Sequence, residues 1–242
     1  MENLLPEEAG TQPVVQLSAE EASRIQSAFM RQVYGWMAAA LALTGGVALL
    51  VSGTPELVEL VVGNRLVFFA LLLLEMFVVG YISARAFDME SGTVTGAFLA
   101  YSVLNGITLS IIFLVFTADS IASTFFVSAG TFGVMSVYGY FTRTNLSHWG
   151  NILMMGVVGL IIASVVNLFW LNSLLYTITS CVGVVLFVAL TAYDTQKMKA
   201  LAFVGINDEE TDRKAAVLGA LTLYLDFVNL FLFLLRIFGR RR

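Results

Sequence analysis

Asp194 and Asp226 lie inside the two C-terminal apolar segments, in Ala189-Leu-Thr-Ala-Tyr-Asp194 and Leu223-Tyr-Leu-Asp226-Phe-Val-Asn-Leu-Phe. An ionised carboxylate is costly in hydrocarbon, so such residues face a bundle interior, a water-filled cavity or a partner group, and they mark proton or ion sites. Two carboxylates about 3 Å apart resist double ionisation; they hold one proton near neutral pH and take a second only in more acid conditions. Fully ionised, the same pair offers hard oxygen ligands, suited to calcium or another cation and wrong for soft transition metals. Asp194 and Asp226 are therefore the candidate ion and proton site, and the candidate calcium ligands. Protons and cation would compete for it.

Three further charges fall in apolar surroundings. Glu75 is near the middle of the second apolar segment, Arg85 follows ten residues later, and Arg236 follows Asp226 by ten. Ten residues of helix span roughly 15 Å, too far for either arginine to reach the acid on its own helix. The expectation is that each serves another helix, for instance Arg236 with Glu75 or Arg85 with the aspartates. Arg85 has the alternative of snorkelling to the interface. Three acids against two arginines leave one acid over, which invites a proton or a cation; a purely structural set of ion pairs would balance. On the third segment Tyr101, Asn105 and Thr108, at spacings of four and three, form one polar stripe. Such a stripe either lines a wet path or bonds to neighbouring helices.

These residues need a membrane bundle to hold them. The 242-residue chain is 58% hydrophobic and 12% charged, with a mean hydropathy of +0.86. That is too little polar surface for a soluble globule of this size. Apolar segments run at about Val33–Val51, Leu66–Phe87, Val94–Phe116, Ile121–Phe141, Ile152–Trp170, Leu174–Tyr193 and Ala216–Phe238. Each can cross about 30 Å of hydrocarbon. The reading is an all-α integral membrane protein of seven spans, with a polar, disordered N-terminus over 1–22 and a single membrane domain over 23–242. Ser18 with Glu21 three residues on predicts a capping box for a helix leading to Phe29. The breaks carry turn chemistry, the longest being the charged stretch Lys197 to Lys214. Gly92, Gly96, Gly130, Gly133, Gly156 and Gly159 are assigned to close helix packing.

Other chemistries are excluded by counts. Cys181 is the only cysteine and is read as a small packing residue; His148 is the only histidine and is read as interfacial. No internal disulfide, multi-histidine metal site or Ser-His-Asp centre can be built from them. The acidic N-terminus is unlike a cleavable signal, and nothing basic and aromatic is arranged for nucleic acid. Basic residues favour a cytoplasmic N-terminus: Arg24, Arg31, Arg85, Arg143, Lys197, Lys199, Arg213 and Lys214 share that side. Arg236 and Arg240 to Arg242 conflict with seven full crossings, so the side of the C-terminus is left open.

The segments Asn105-Gly-Ile-Thr-Leu-Ser-Ile-Ile-Phe113, Ala192-Tyr-Asp-Thr-Gln-Lys-Met-Lys199 and Leu221 to Gly239 resemble the Bax-inhibitor (transmembrane Bax-inhibitor-motif) family, particularly its bacterial members. The resemblance implies a seven-helix bundle with the last helix central, in the bacterial inner membrane. It also implies a pH-sensitive calcium leak controlled by an aspartate pair, matched here by Asp194 and Asp226. Arg85 matches the family's second-helix arginine, a proposed closed-state latch, and Glu75 and Arg236 look like its other paired buried charges. The partners implied are the bilayer, calcium and protons; no cofactor or enzymatic activity is expected. A rival reading is a non-transporting regulator that binds a membrane protease or a death-pathway protein. An intramembrane aspartyl protease also needs two aspartates on adjacent helices. Leu223-Tyr-Leu-Asp226 lacks its Gly-x-Gly-Asp, and no proline follows Pro55 to supply its Pro-Ala-Leu element.

Overall fold

The computed structural model describes residues 18–170, 172–204 and 208–242. The expected disorder up to Leu17, the break residue Leu171 and residues 205–207 of the charged stretch lie outside them. The elements are α1 (Ala19–Ser52), α2 (Pro55–Val61), α3 (Arg65–Arg85), α4 (Ser91–Leu109), α5 (Ile111–Val115), α6 (Ala118–Phe141), α7 (Gly150–Trp170), α8 (Ser173–Leu201) and α9 (Glu209–Phe238), with short 3-10 turns at Ala86–Asp88 and Leu146–Trp149. Among the described residues seven helical stretches are long and apolar enough to cross a membrane, α4 and α5 counting as one. The chain is an all-α membrane protein.

Polar residues fix where the helices begin. At α1 the Glu21 amide donates to Ser18 Oγ at 3.2 Å, and the Ser18 amide donates to Glu21 Oε2 at 2.9 Å. This is the expected capping box, and it starts the helix at Ala19, inside the stretch 1–22. Asn64 and Asn172 cap α3 and α8 by accepting from the amides two and three residues ahead. The charged stretch Lys197 to Lys214 is mostly helical instead of a long break. α8 runs on to Leu201, and α9 begins at Glu209, where Asp208 accepts from the Glu210 amide. The reason is local: an N-cap, acids in the first turn where the helix dipole favours them, and Glu209–Arg213 and Glu210–Lys214 pairs at four-residue spacing.

The last helix is the centre of the bundle. In α9, 72% of the most apolar stretch is buried, against 11% in α3 and 17% in the span containing α7. It packs on α8, α1, α6 and α4. The outer helices instead expose large apolar side chains, among them Leu66, Leu73 and Phe77 on α3 and Met155, Ile162 and Phe169 on α7. A surface of that kind is stable against lipid and not against water.

The tail settles the C-terminal side. Beyond α9 the Thr117 amide donates to the Arg240 carbonyl and the Arg242 amide to the Val115 carbonyl, each at 3.0 Å. The junction between α5 and α6 follows the third crossing, so the tail lies across the membrane from the start of α1. Seven full crossings result, and Arg240 to Arg242 sit opposite the basic residues near Arg85 and Arg143.

The expected glycine contacts are mostly absent. Gly92, Gly96, Gly130, Gly133 and Gly159 have open space where a Cβ would stand, and of that set only Gly156 meets a neighbour, the Leu186 side chain. Spacing places small residues on one face but does not say what that face meets. The tight approaches are elsewhere: a Cβ on Gly139 would lie 2.9 Å from Ala192 Cα, and one on Gly183 would lie 2.6 Å from the Phe233 ring. Cys181 is exposed on α8, contrary to its assignment as a packing residue. His148 lies exposed in the Leu146–Trp149 turn, at an end of the bundle as expected.

Gly139→Ala should lower stability by about 1–3 kcal/mol, the usual scale of overpacking, because its new methyl meets α8 backbone. Gly133→Ala, with nothing in its way, should be neutral or stabilising by about 0.5–1 kcal/mol. Thermal unfolding of the two variants in one detergent checks this, and equal shifts would contradict the packing described here.

Candidate functional site

Asp194 and Asp226 meet. α8 and α9 are antiparallel neighbours, and the two carboxyl groups lie within hydrogen-bonding range of each other, with 7% and 5% of their residues' surface exposed. The sequence places the acids on successive spans; the fold supplies level depth and facing directions. α6 presses α8 toward this position, since Gly139 lets the α6 backbone lie directly on Ala192, two residues before Asp194. Ionised carboxylates are acceptors only, so a hydrogen bond between the two needs a proton on one of them.

Asp226 Oδ2 is fully buried and takes no hydrogen bond from an amide, hydroxyl or basic donor among the described residues, which leaves the Asp194 carboxyl as the polar group beside it. Thr124 Oγ1, Ser136 Oγ and Thr195 Oγ1 are buried without a hydrogen-bond partner among the described residues. Thr124 and Ser136 belong to α6, Thr195 to α8, and α6 packs against both α8 and α9. These atoms are spread along α6, α8 and α9: Thr124 and Ser136 are twelve residues, about 18 Å, apart on α6, and Ser136 lines a cavity with Tyr34 of α1. Buried polar groups are normally paired, and each exception is a place where a proton, an ion or water can be taken up.

This interface shows functional candidates that the sequence reading missed. The buried residues of α6 include Ser120, Thr124, Ser128, Phe132 and Ser136, at four-residue steps. The hydroxyl stripe is interrupted once, by Phe132, whose ring meets Phe227 edge-on at 5.5 Å between centroids, beside Asp226 in the chain. Spacing could have revealed it, but single hydroxyls in apolar helices draw little notice. Lys197 was also passed over: it stands three residues after Asp194, acts on that carboxyl through space, and lines a cavity of about 550 Å³ with Arg143, Asn145, Tyr193 and Gln196. That cavity lies beside the end of α8, next in the chain to Asp194 at Tyr193, and neither aspartate lines it.

The other expected charges are not brought to the pair. Arg85 is exposed and faces Asp88 at 3.6 Å, an ion pair at the helix end. The expected latch contact with the aspartates is absent, and the interfacial alternative describes its position. Arg236 does not meet Glu75. Its guanidinium lies over the Phe233 ring at 4.9 Å and the Tyr176 ring at 5.7 Å, and it makes no ion pair among the described residues. Aromatic faces at the helix ends satisfy the cation without a carboxylate. Glu75 is instead held by the α4 stripe: Thr108 Oγ1 donates to it at 2.6 Å, and the Asn105 side-chain amide contacts its other oxygen at 3.2 Å. Of the two readings of that stripe, helix-to-helix bonding is the one formed. No cluster of three or more histidine, cysteine or acidic residues that could hold a metal is present among the described residues, so the two aspartates alone would supply charged ligands.

Comparison with known proteins agrees with the fold. Residues 26–242 match the family model described as "Inhibitor of apoptosis-promoting Bax1". The inner membrane protein YbhL of Escherichia coli K12 is 49% identical over 217 residues, 88% of this chain and 92% of that protein. An uncharacterized protein of Borreliella burgdorferi is 42% identical over 218 residues, 90% of this chain and 94% of its own length. A third relative, protein RP147 of Rickettsia prowazekii, is 41% identical over 218 residues. With the family model matched from the first helix to the last residue, and relatives aligned along nearly their whole length, the chain belongs to the Bax-inhibitor family of membrane proteins.

Proposed function

We propose that this protein is a proton-regulated calcium leak of a bacterial inner membrane, with Asp194 and Asp226 as the site where protons and the cation exchange. The membrane assignment rests on the seven spans and on the likeness to an inner membrane protein of Escherichia coli. The observation that carries the reading is the meeting of two buried carboxyl groups on α8 and α9, with no amide, hydroxyl or basic donor on Asp226 Oδ2 among the described residues. One shared proton holds the pair together; losing it leaves two negative oxygens in a low dielectric, which a divalent cation neutralises. The hydroxyls of α6 line the approach within the bundle, and the Phe132–Phe227 contact is the apolar constriction. Lys197, three residues from Asp194, is the cation that opposes entry, in place of Arg85, which the family resemblance cast as the closed-state latch.

Calcium flux into liposomes holding the purified protein tests the reading. Asp194→Asn and Asp226→Asn should each cut calcium binding and flux by about tenfold or more, the scale on which loss of ligand support acts. Flux unchanged in both variants would remove the aspartate pair as the site, and no flux at any pH in the parent would remove the leak and leave the regulator.

Calcium binding should weaken as pH falls, each ion displacing protons from the pair. Lys197→Gln should raise flux at neutral pH, while Arg85→Ala should leave it unchanged. The reverse order of effects would return the latch to Arg85.

A further inference from the structure

A second buried acid stands apart from the aspartates. Glu75 occupies the midpoint of α3, with 8% of its surface exposed, in a helix that otherwise presents most of its side chains outward. It has no ion-pair partner among the described residues. Arg65 and Arg85 lie ten residues away on either side, about 15 Å along the axis. Across the contact with α2, Glu56 and Glu59 are exposed, and Asp88 in the turn after α3 is taken by Arg85. The titratable groups acting at Glu75 from its neighbours are the phenols of Tyr101 on α4 and Tyr224 on α9; α1 contributes the Thr44 hydroxyl, bonded to Tyr224.

These groups form one chain of oxygens and one amide. Thr44 Oγ1 lies 2.9 Å from the Ser102 carbonyl and 2.7 Å from the Tyr224 hydroxyl, and that hydroxyl lies 2.9 Å from the Asn105 side chain. Asn105 then touches one oxygen of Glu75 and Thr108 the other.

Hydrogens decide the polarity. If the Asn105 NH2 points at Glu75, its Oδ1 faces Tyr224. The three contacts from the Ser102 carbonyl through Thr44 and Tyr224 to Oδ1 must then be served by only two hydrogens, those of the Thr44 and Tyr224 hydroxyls. One short oxygen–oxygen contact is left without a proton, in a site where an unsatisfied group is costly. If the amide is turned, its NH2 donates to Tyr224, Tyr224 donates to Thr44, and Thr44 donates to the Ser102 carbonyl. Asn105 Oδ1 now faces Glu75, and the hydrogen between them can come only from Glu75 itself. A neutral Glu75 fills every contact from the Ser102 carbonyl to its own carboxyl, while the single Thr108 hydrogen is shared between Glu75 and the Asn105 backbone carbonyl.

We propose that Glu75 is a second proton-binding site, occupied as the neutral acid, and that release of its proton reverses the hydrogen-bond direction through Asn105, Tyr224 and Thr44. The chain runs from α3 through α4 to the central helix and α1. Tyr224 and Asp226 are two residues apart on α9, roughly 200° around its axis. The central helix therefore carries the aspartate site on one face and the end of this proton chain on another.

Infrared spectroscopy of the full-length protein with 13C on the glutamate side-chain carboxyl tests this without involving the aspartates. At neutral pH the spectrum should show a protonated-acid carbonyl band that moves with the label, disappears in Glu75→Gln and shifts in Tyr224→Phe. Absence of a label-sensitive acid band in the parent protein overturns the site, even if Glu75→Gln fails to fold. A band unmoved by Tyr224→Phe overturns the chain. Neither result bears on calcium flux through the aspartate pair.

Discussion

Burying a carboxyl group at the core of a lipid-embedded bundle is the constraint that organises this structure. Asp226 sits on the helix that every other major contact surrounds, where water cannot pay the solvation cost of its charge. Its neighbour there is a second carboxyl on α8, in a stretch that α6 approaches closely at Gly139. No amide, hydroxyl or basic donor reaches Asp226 Oδ2 among the described residues, and Thr124, Ser136 and Thr195 on α6 and α8 hold unpaired hydroxyls. A core built only for stability would fill such positions with apolar side chains. That incomplete satisfaction distinguishes these helices from the larger apolar faces.

The remaining charges are handled by a different rule. Arg85, Arg236, Lys199 and Arg213 all find partners near helix ends: Asp88, the Phe233 and Tyr176 rings, the Tyr140 carbonyl and ring, and Glu209. Long side chains can reach the interface from within the apolar segment, so cations need no buried counter-charge. Asp226 and Glu75 are too short to do so from mid-helix. The asymmetry between long bases and short acids explains why the surplus expected from counting charges appears as two separate buried acid sites in place of a network of ion pairs.

Much of this was legible in the sequence. The seven spans follow from apolar runs longer than a soluble core helix needs, and the α1 start follows from Ser18 and Glu21. The aspartates announce themselves because charge is rare in such runs. What could not be read was direction. Gly139 and Gly92 look alike in the chain, yet only Gly139 faces a neighbouring backbone. Arg236 and Glu75 suggest a pair by charge alone, while Tyr176 and Phe233 give no sequence signal that they will receive the cation. The Ser120 to Ser136 stripe was present as a four-residue step, but its meaning depends on α6 lying between α8 and α9. The Asp208–Lys214 segment was misjudged because charge was read as loop, although its cap and its four-residue ion pairs specify a helix.

The clasp between the C-terminal residues and the start of α6 bears on how the bundle can move. With the Arg240 carbonyl and the Arg242 amide tied to Thr117 and Val115, the far end of α9 is tethered. The central helix cannot slide along its axis like a piston without breaking this miniature ladder. Separation of the carboxyl groups must come from a swing hinged at the clasp, widest at the opposite rim, or from displacement of α8 while α9 stays still.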